Sequence, residues 1–199
     1  MSDLLTSVAC MSADRSILSA IRSPECSLAV WQRTPLAKAR ELPLEALENI
    51  RFNAPLFDYR RYLSRAVGDS EWPAGTDWLV DDVADLAATF AEIMQVDALE
   101  TRLEIVVTNA CRRFHADYVS ARLITTYAGQ GTQWLERDEA ARVAGGLEPA
   151  RVDQLSAGDV GVFKGKLGDG APAIHRSPPI AGTGERRLLL VINPVDIDV

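Results

Sequence analysis

The sequence predicts an α+β fold, a helical front followed by many short strands that build a β-sandwich or barrel core. Three observations predict it. Val83, Leu86, Ala87, Phe90, Ile93 and Met94 recur at the i, i+3, i+4, i+7 spacing of an amphipathic helix. From about residue 102 the pattern shifts to that of strands, with the β-branched runs Leu103–Thr108 and Leu123–Tyr127. Glycine-marked turns then separate the later apolar segments, at Gly129 and Gly131, at Gly158, and over Gly165–Pro172.

The 199 residues suit one domain, 1–199, with enough chain to bury a core: a mainly helical support region over 1–100 and a β-rich core over 101–199. Along the first part, Ser27–Trp31 reads as a short strand, and Leu44–Phe52 as a helix behind Pro43. Pro55–Val67 reads as a second helix, ended by Gly68, with a loop over Asp69–Asp77. Asp81 and Asp82 fall where the third helix would begin, and negative charge suits that end of the helix dipole. In the second part Arg137–Arg151 is polar and alanine-rich, a short helix or an insertion. Val160–Lys164 reads as a strand, and Arg187–Ile192 as an apolar final strand.

Composition narrows the function classes. The hydrophobic and charged fractions, 47% and 25%, are those of an ordinary globular protein. No apolar run approaches the roughly 20 residues of a membrane span. Met1–Thr6 has neither a basic start nor a sustained apolar stretch, so no export signal is expected. Cys10, Cys26 and Cys111 are odd in number and widely spaced, unlike a disulfide framework, and the cytoplasm is the expected compartment. With 21 basic against 28 acidic residues the net charge is −7, which argues against a nucleic-acid partner. Arg112, Arg113, Arg122, Arg176, Arg186 and Arg187 nevertheless gather near the two histidines. Such clustering on an acidic chain suits a local carboxylate site, or else a set of surface ion pairs.

The chain holds only two histidines, and they define its chemistry. His115 stands two residues before Asp117, and on a strand those side chains share one face with Cα atoms roughly 6–7 Å apart. Both can then reach one ion at bonds of about 2.0–2.2 Å. His175, 60 residues on (175 − 115), is the other histidine available as a third ligand. Two His and one carboxylate on one side of a metal leave open positions for cosubstrate and dioxygen, the arrangement of mononuclear non-haem Fe(II) oxygenases. The bland alternative for His-x-Asp is a carboxylate that merely orients an imidazole. Cys111 precedes His115 by four residues, which on an extended strand separates their Cα atoms by about 13 Å. A shared metal would need an intervening bulge or loop, and a small buried cysteine is the expected state.

Cys111-Arg112-Arg113-Phe114-His115-Ala116-Asp117-Tyr118-Val119, with Arg122–Tyr127, Gly131–Trp134, Phe163-Lys164-Gly165 and His175–Pro179, resembles the bacterial domain-of-unknown-function family 1826 from about Trp31 to Ile192. The resemblance brings no reaction with it. Family members are often encoded near zinc-metallochaperone GTPases, which implies a functional link to metal homeostasis. More remotely, the C-terminal half resembles the double-stranded β-helix (jelly-roll, cupin-like) core of Fe(II)/2-oxoglutarate oxygenases, here with N-terminal helices packed on the sheet. That resemblance implies His115, Asp117 and His175 as Fe(II) ligands. It implies Arg187, or second Arg186, for the distal carboxylate of 2-oxoglutarate, although the 12- and 11-residue spacings from His175 (187 − 175, 186 − 175) run slightly long. Arg122, Thr126 and Tyr127 are further cosubstrate candidates. Alternation puts Arg122, Ile124 and Thr126 on one strand face and Leu123, Thr125 and Tyr127 on the other, so one set alone faces the site. Trp134 could line the mouth, though core packing is the usual use of tryptophan.

The expected activity is therefore an Fe(II)/2-oxoglutarate-dependent hydroxylase acting on an unidentified small molecule or peptide. The competing readings are a non-catalytic protein of the same fold serving zinc or iron homeostasis, and a cupin-like isomerase or hydrolase using zinc or manganese.

Overall fold

The computed structural model describes residues 8–70, 72–109 and 111–195. The expectation for Met1–Thr6 lies outside the described residues. In chain order the strands are β1 (Ala9–Ser12), β2 (Leu28–Trp31), β3 (Ile50–Pro55), β4 (Ala98–Val106), β5 (Ala121–Ala128), β6 (Gln133–Trp134), β7 (Asp153–Gln154), β8 (Val160–Lys164), β9 (His175–Arg176) and β10 (Arg187–Pro194). The α-helices are α1 (Tyr59–Asp69), α2 (Asp77–Met94) and α3 (Arg137–Ala144), and short 3-10 turns cover Arg15–Arg22, Ala37–Glu41 and Leu56–Asp58.

Seven strands form one mixed sheet in the order β1-β2-β8-β5-β10-β4-β3, parallel at β1–β2 and antiparallel elsewhere. A small antiparallel sheet, β7-β6-β9, lies apart from it. The architecture is thus α+β with two sheets, and among the described residues no ladder closes them into a barrel. The first hundred residues are less helical than their composition suggests, because β1, β2 and β3 belong to the large sheet.

Strand alternation divides the core in two. Leu123 and Tyr127 of β5, with Leu188, Leu190 and Ile192 of β10, meet Leu79, Val83, Leu86 and Phe90 of α2. Each such side chain contributes roughly 1.5–3 kcal/mol on burial, so this interface fixes the helix on the sheet. Ile124, Leu189 and Val191 point the other way, toward Trp134 of the small sheet, Leu28, Val30 and Phe163. Trp134 is therefore core between the sheets rather than a mouth residue. The candidate site lies on this inner side.

Two helix expectations change. Leu44–Phe52 is a turn followed by β3, since Ile50 and Ala54 bury while Arg51 and Asn53 face out, the two-residue period of a strand paired with β4. α2 begins at Asp77, so Asp81 and Asp82 sit beyond its first turn. Asp82 instead holds Arg33 in a bidentate pair at 2.6 and 2.9 Å beneath the sheet. The segment Arg137–Arg151 resolves into α3 and a following turn. No helix of the described residues is long and apolar enough to cross a membrane.

Candidate metal centre

His115 does not lie on a strand. It makes an isolated antiparallel bridge with His175, exchanging N–H···O bonds of 3.0 Å in both directions, and Asp117 follows in irregular chain. Residues directly opposite in an antiparallel pair project to the same side. The bridge therefore brings both imidazoles together, with ring centroids 4.8 Å apart and Phe163 stacked behind His175 at the same distance. Asp117 is held by its own carbonyl, which accepts the Lys166 N–H at 2.8 Å. Gly165 permits that approach, because a Cβ there would sit 1.9 Å from the Val119 carbonyl oxygen.

One donor atom from each of His115, Asp117 and His175 lies within 4.8 Å of the others, a two-histidine, one-carboxylate triad. His115 Nε2 stands 3.5 Å from Asp117 Oδ1, and His175 Nε2 stands 3.2 Å from Asp117 Oδ2. Each Nδ1 faces a backbone carbonyl two residues earlier, Arg113 at 2.9 Å for His115 and Ala173 at 3.2 Å for His175. A carbonyl only accepts, so each Nδ1 carries a proton, and Nε2 is the nitrogen that faces the centre and, in the neutral ring, offers its lone pair there. Asp117 Oδ2 is buried and, despite the nearby imidazole, accepts no well-directed hydrogen bond. These are the donors a divalent cation needs, and the residues fit such an ion. The widest spacing exceeds the ~3 Å between neighbouring ligands at bonds near 2.1 Å, so loading draws the side chains inward.

A polar chain backs Asp117. Arg122 Nη1 contacts Asp117 Oδ1 at 2.7 Å, and Arg122 Nε donates to Asn193 Oδ1 at 2.7 Å. Asn193 Nδ2 donates to Glu100 Oε2 at 2.7 Å, and Glu100 pairs with Arg51. Burial favours the protonated form of Asp117, but the close imidazoles of His115 and His175 and the charge of Arg122 overcome it, holding the carboxyl well below its usual range. The hydrogen bond to Asp117 raises the pKa of His115 against the opposing effect of burial. Arg122 thus faces the metal ligand. Asn193 and Glu100 carried no signal in sequence beyond their place on strand faces.

Arg187 lies deeper on the same inner face and is completely buried. Its Nε donates to the Gln130 carbonyl at 2.5 Å and Nη1 to Ser177 Oγ at 3.1 Å; Nη2 reaches Thr126 Oγ1 at 3.3 Å and Thr132 Oγ1 at 3.4 Å. Every partner is neutral, and among the described residues no carboxylate pairs with it. Burial alone lowers its pKa to about 10. Gly131 shapes this corner, since a Cβ there would meet the Leu155 carbonyl oxygen at 1.9 Å. In the sequence nothing about the spacing of Thr132 and Ser177 marks them as site residues.

Three expectations are corrected here. Tyr127 faces away, donating to Asp82 Oδ2 at 2.6 Å in the helix-side core, as its odd position on β5 requires. Arg186 is exposed, because it precedes the buried stretch of β10. Cys111 is also exposed, in a left-handed turn with φ 58°, and is not among the grouped ligands.

Among solved structures the chain is similar to the dioxygenase for auxin oxidation 1 from Arabidopsis thaliana in its 2-oxoglutarate complex, with 12% identity, 84% of this chain and 68% of that one covered, and a TM-score of 0.46. The rice dioxygenase for auxin oxidation matches at 15% identity over 77% of this chain and 57% of its own, with a TM-score of 0.45. A Pseudomonas putida prolyl-4-hydroxylase matches at 13% identity over 92% and 98%, with a TM-score of 0.44. No curated protein matches. Residues 12–193 match the family described as "Protein of unknown function (DUF1826)", and the chain belongs to that family.

Proposed function

We propose that the protein is an Fe(II)/2-oxoglutarate-dependent oxygenase, a hydroxylase built on a double-stranded β-helix. The observation that carries this reading is Arg187, a buried guanidinium with neutral partners only, next to a three-ligand metal face. Ser177, which binds Arg187, stands two residues from His175. Thr132 is next to Gln133–Trp134 on β6, which pairs with Arg176 and His175. An uncompensated buried charge costs several kcal/mol, and a carboxylate delivered to this corner would neutralise it.

In this reading His115, Asp117 and His175 hold Fe(II), which when bound supplies the redox chemistry for dioxygen. Arg187 pairs with the distal carboxylate of 2-oxoglutarate through Nη1, while Gln130, Ser177, Thr126 and Thr132 fix the guanidinium plane. Arg122 occupies Asp117 Oδ1 and leaves Oδ2 for the metal. The backbone carbonyls of Arg113 and Ala173 keep both imidazoles in the ligating tautomer. Phe163 and Trp134 exclude water behind the centre.

Anaerobic addition of Fe(II) and 2-oxoglutarate tests the proposal. The expected result is a visible charge-transfer band, followed by slow succinate release once air is admitted. Tight zinc binding with no band and no succinate would replace the enzyme with a metal-homeostasis binding protein.

A further inference from the structure

Three cysteines are free, and two of them share one corner of the fold. Cys10 lies on β1, the edge strand of the large sheet, and Cys26 in the turn that leads into β2. The sequence sets them 16 positions apart (26 − 10), but β1 and β2 are parallel neighbours with Cys10 opposite Ala29. The Val8 carbonyl accepts the Ser27 and Leu28 N–H groups at 2.9 and 3.1 Å, which draws the Cys26 turn against the start of β1. Both thiols pack into the helix-side core, Cys26 buried and Cys10 half-buried. Cys26 Sγ donates to the Leu28 carbonyl at 3.4 Å, and its thiol is also in hydrogen-bonding contact with that of Cys10.

A buried lysine completes the cluster. Lys164, at the end of β8, is 4% exposed and makes no ion pair with a described carboxylate. Its Nζ donates to the Ser23 carbonyl at 2.6 Å, three residues before Cys26. Its backbone N–H donates to the Ser27 carbonyl at 2.9 Å, one residue after Cys26. Burial lowers the pKa of Lys164, and the charges that oppose this are Cys26, Asp169 and Cys10. The ammonium in turn favours ionised sulfur at Cys26, against burial and the Cys10 thiol, which push Cys26 up to about 12. A neighbouring ammonium makes cysteine reactive, whereas a cysteine walled by apolar groups alone is inert. Phe163, next to Lys164 on β8, points to the other face and stacks on His175, so the thiols and the metal centre lie on opposite sides of the sheet.

We infer that Cys10 and Cys26, beside Lys164, are a peroxide-reactive dithiol that closes reversibly to a disulfide. Cys10 is the accessible partner and reacts first. Its thiolate takes one oxygen of hydrogen peroxide, the O–O bond breaks, and hydroxide leaves as water with the proton of the original thiol. The Cys26 sulfur then attacks the sulfur of the Cys10 sulfenic acid. S–S forms as S–O breaks, and a second water leaves with the Cys26 proton. Two thiols thus give two electrons to one peroxide, and a dithiol reductant reverses the change. Lys164 holds the attacking sulfur as thiolate. The sulfurs must close to about 2.05 Å, and β1 can yield because it is paired on one side only.

The full chain, freed of metal with a chelator, is treated with hydrogen peroxide and its free thiols are counted. The count should fall from three to one and return to three with dithiothreitol. Residues 1–15 and 23–33, the tryptic pieces that carry Cys10 and Cys26, should be found joined with the loss of two hydrogens. Cys111→Ser should fall from two thiols to none. In Cys26→Ala, dimedone should label Cys10 as the trapped sulfenic acid. Lys164→Met should slow closure about fivefold or more. Loosened packing would instead expose the thiols and speed it, so the direction separates the two effects. Cys10 and Cys26 left reduced, linkage between chains, or oxidation confined to Cys111 overturns the inference. Closure at the wild-type rate in Lys164→Met removes the lysine from the site. Because metal is absent throughout, failure here leaves the oxygenase proposal standing.

Discussion

His115 and His175, sixty positions apart (175 − 115), exchange both of their backbone hydrogen bonds, and that single bridge delivers two metal ligands to one side of the chain. Opposed residues of this type have Cα atoms about 5.5 Å apart, close enough for two imidazoles to converge on one ion. The bridge also fixes the tautomers, because it places each Nδ1 near a carbonyl of its own segment.

The first prediction concerns those ligands. His175→Ala should lower Fe(II) or Mn(II) affinity by at least about 100-fold, more than the usual 10–100-fold loss from removing an outer partner. Anaerobic calorimetry measures it. Wild-type affinity in this variant would remove His175 from the centre.

The chain behind Asp117 predicts a graded effect. Arg122→Met should weaken metal binding about 10–100-fold, since Asp117 loses the partner that orients it. It should also destabilise the metal-free protein by about 1–3 kcal/mol, the cost of taking a charged partner from a half-buried carboxylate that keeps its two imidazole neighbours. Asn193→Ala, one step further out, should do less on both counts, as measured by denaturant unfolding and metal titration.

Arg187 predicts a difference in ligand response. In the wild type, 2-oxoglutarate at 100 times its Kd should add about 2.7 kcal/mol of stability. Arg187→Met should abolish that gain and leave metal affinity near wild type, because the substitution removes an uncompensated charge and touches no ligand. Equal loss of metal would mark Arg187 as structural. Tyr127→Phe serves as the contrast: it should cost about 1–2 kcal/mol through the lost hydrogen bond to Asp82 and leave the 2-oxoglutarate response intact.

The metal-free centre predicts opposing pH trends. The pKa of Asp117 is depressed in the folded state, so its contribution to stability is present above the ordinary 3.8 and is lost as pH falls toward its folded value. The pKa of His115 is raised, so its contribution is complete below 6.5 and is lost as pH rises through the folded value. Metal uptake requires neutral His115 and should therefore strengthen over that same rise. Unfolding and metal titrations across pH 6–9 (an order-of-magnitude window about the histidine range) check both. Parallel rather than opposite trends would show that His115 is not a ligand.

By itself the sequence determined the elements whose periodicity is strong. The apolar stripe through Val83, Leu86 and Phe90 marks α2, the β-branched runs mark β4 and β5, and the apolar run Arg187–Ile192 marks β10. It also limited the histidine ligands to two and put Asp117 beside the first. Alternation further required Arg122 and Thr126 to share a face that Tyr127 cannot share. Tertiary structure alone decided which face looks inward, since that depends on α2 covering the opposite side. The pairing of His115 with His175 is likewise a contact of distant segments, with no local pattern to announce it. Ile50–Pro55 became a strand because β4 offered it a partner, overriding a weak helical preference. Arg187 and Arg186 are adjacent and chemically identical. Only the point at which the chain enters the sheet separates them: Arg187 opens β10, which is covered on both faces, and Arg186 ends the exposed segment before it.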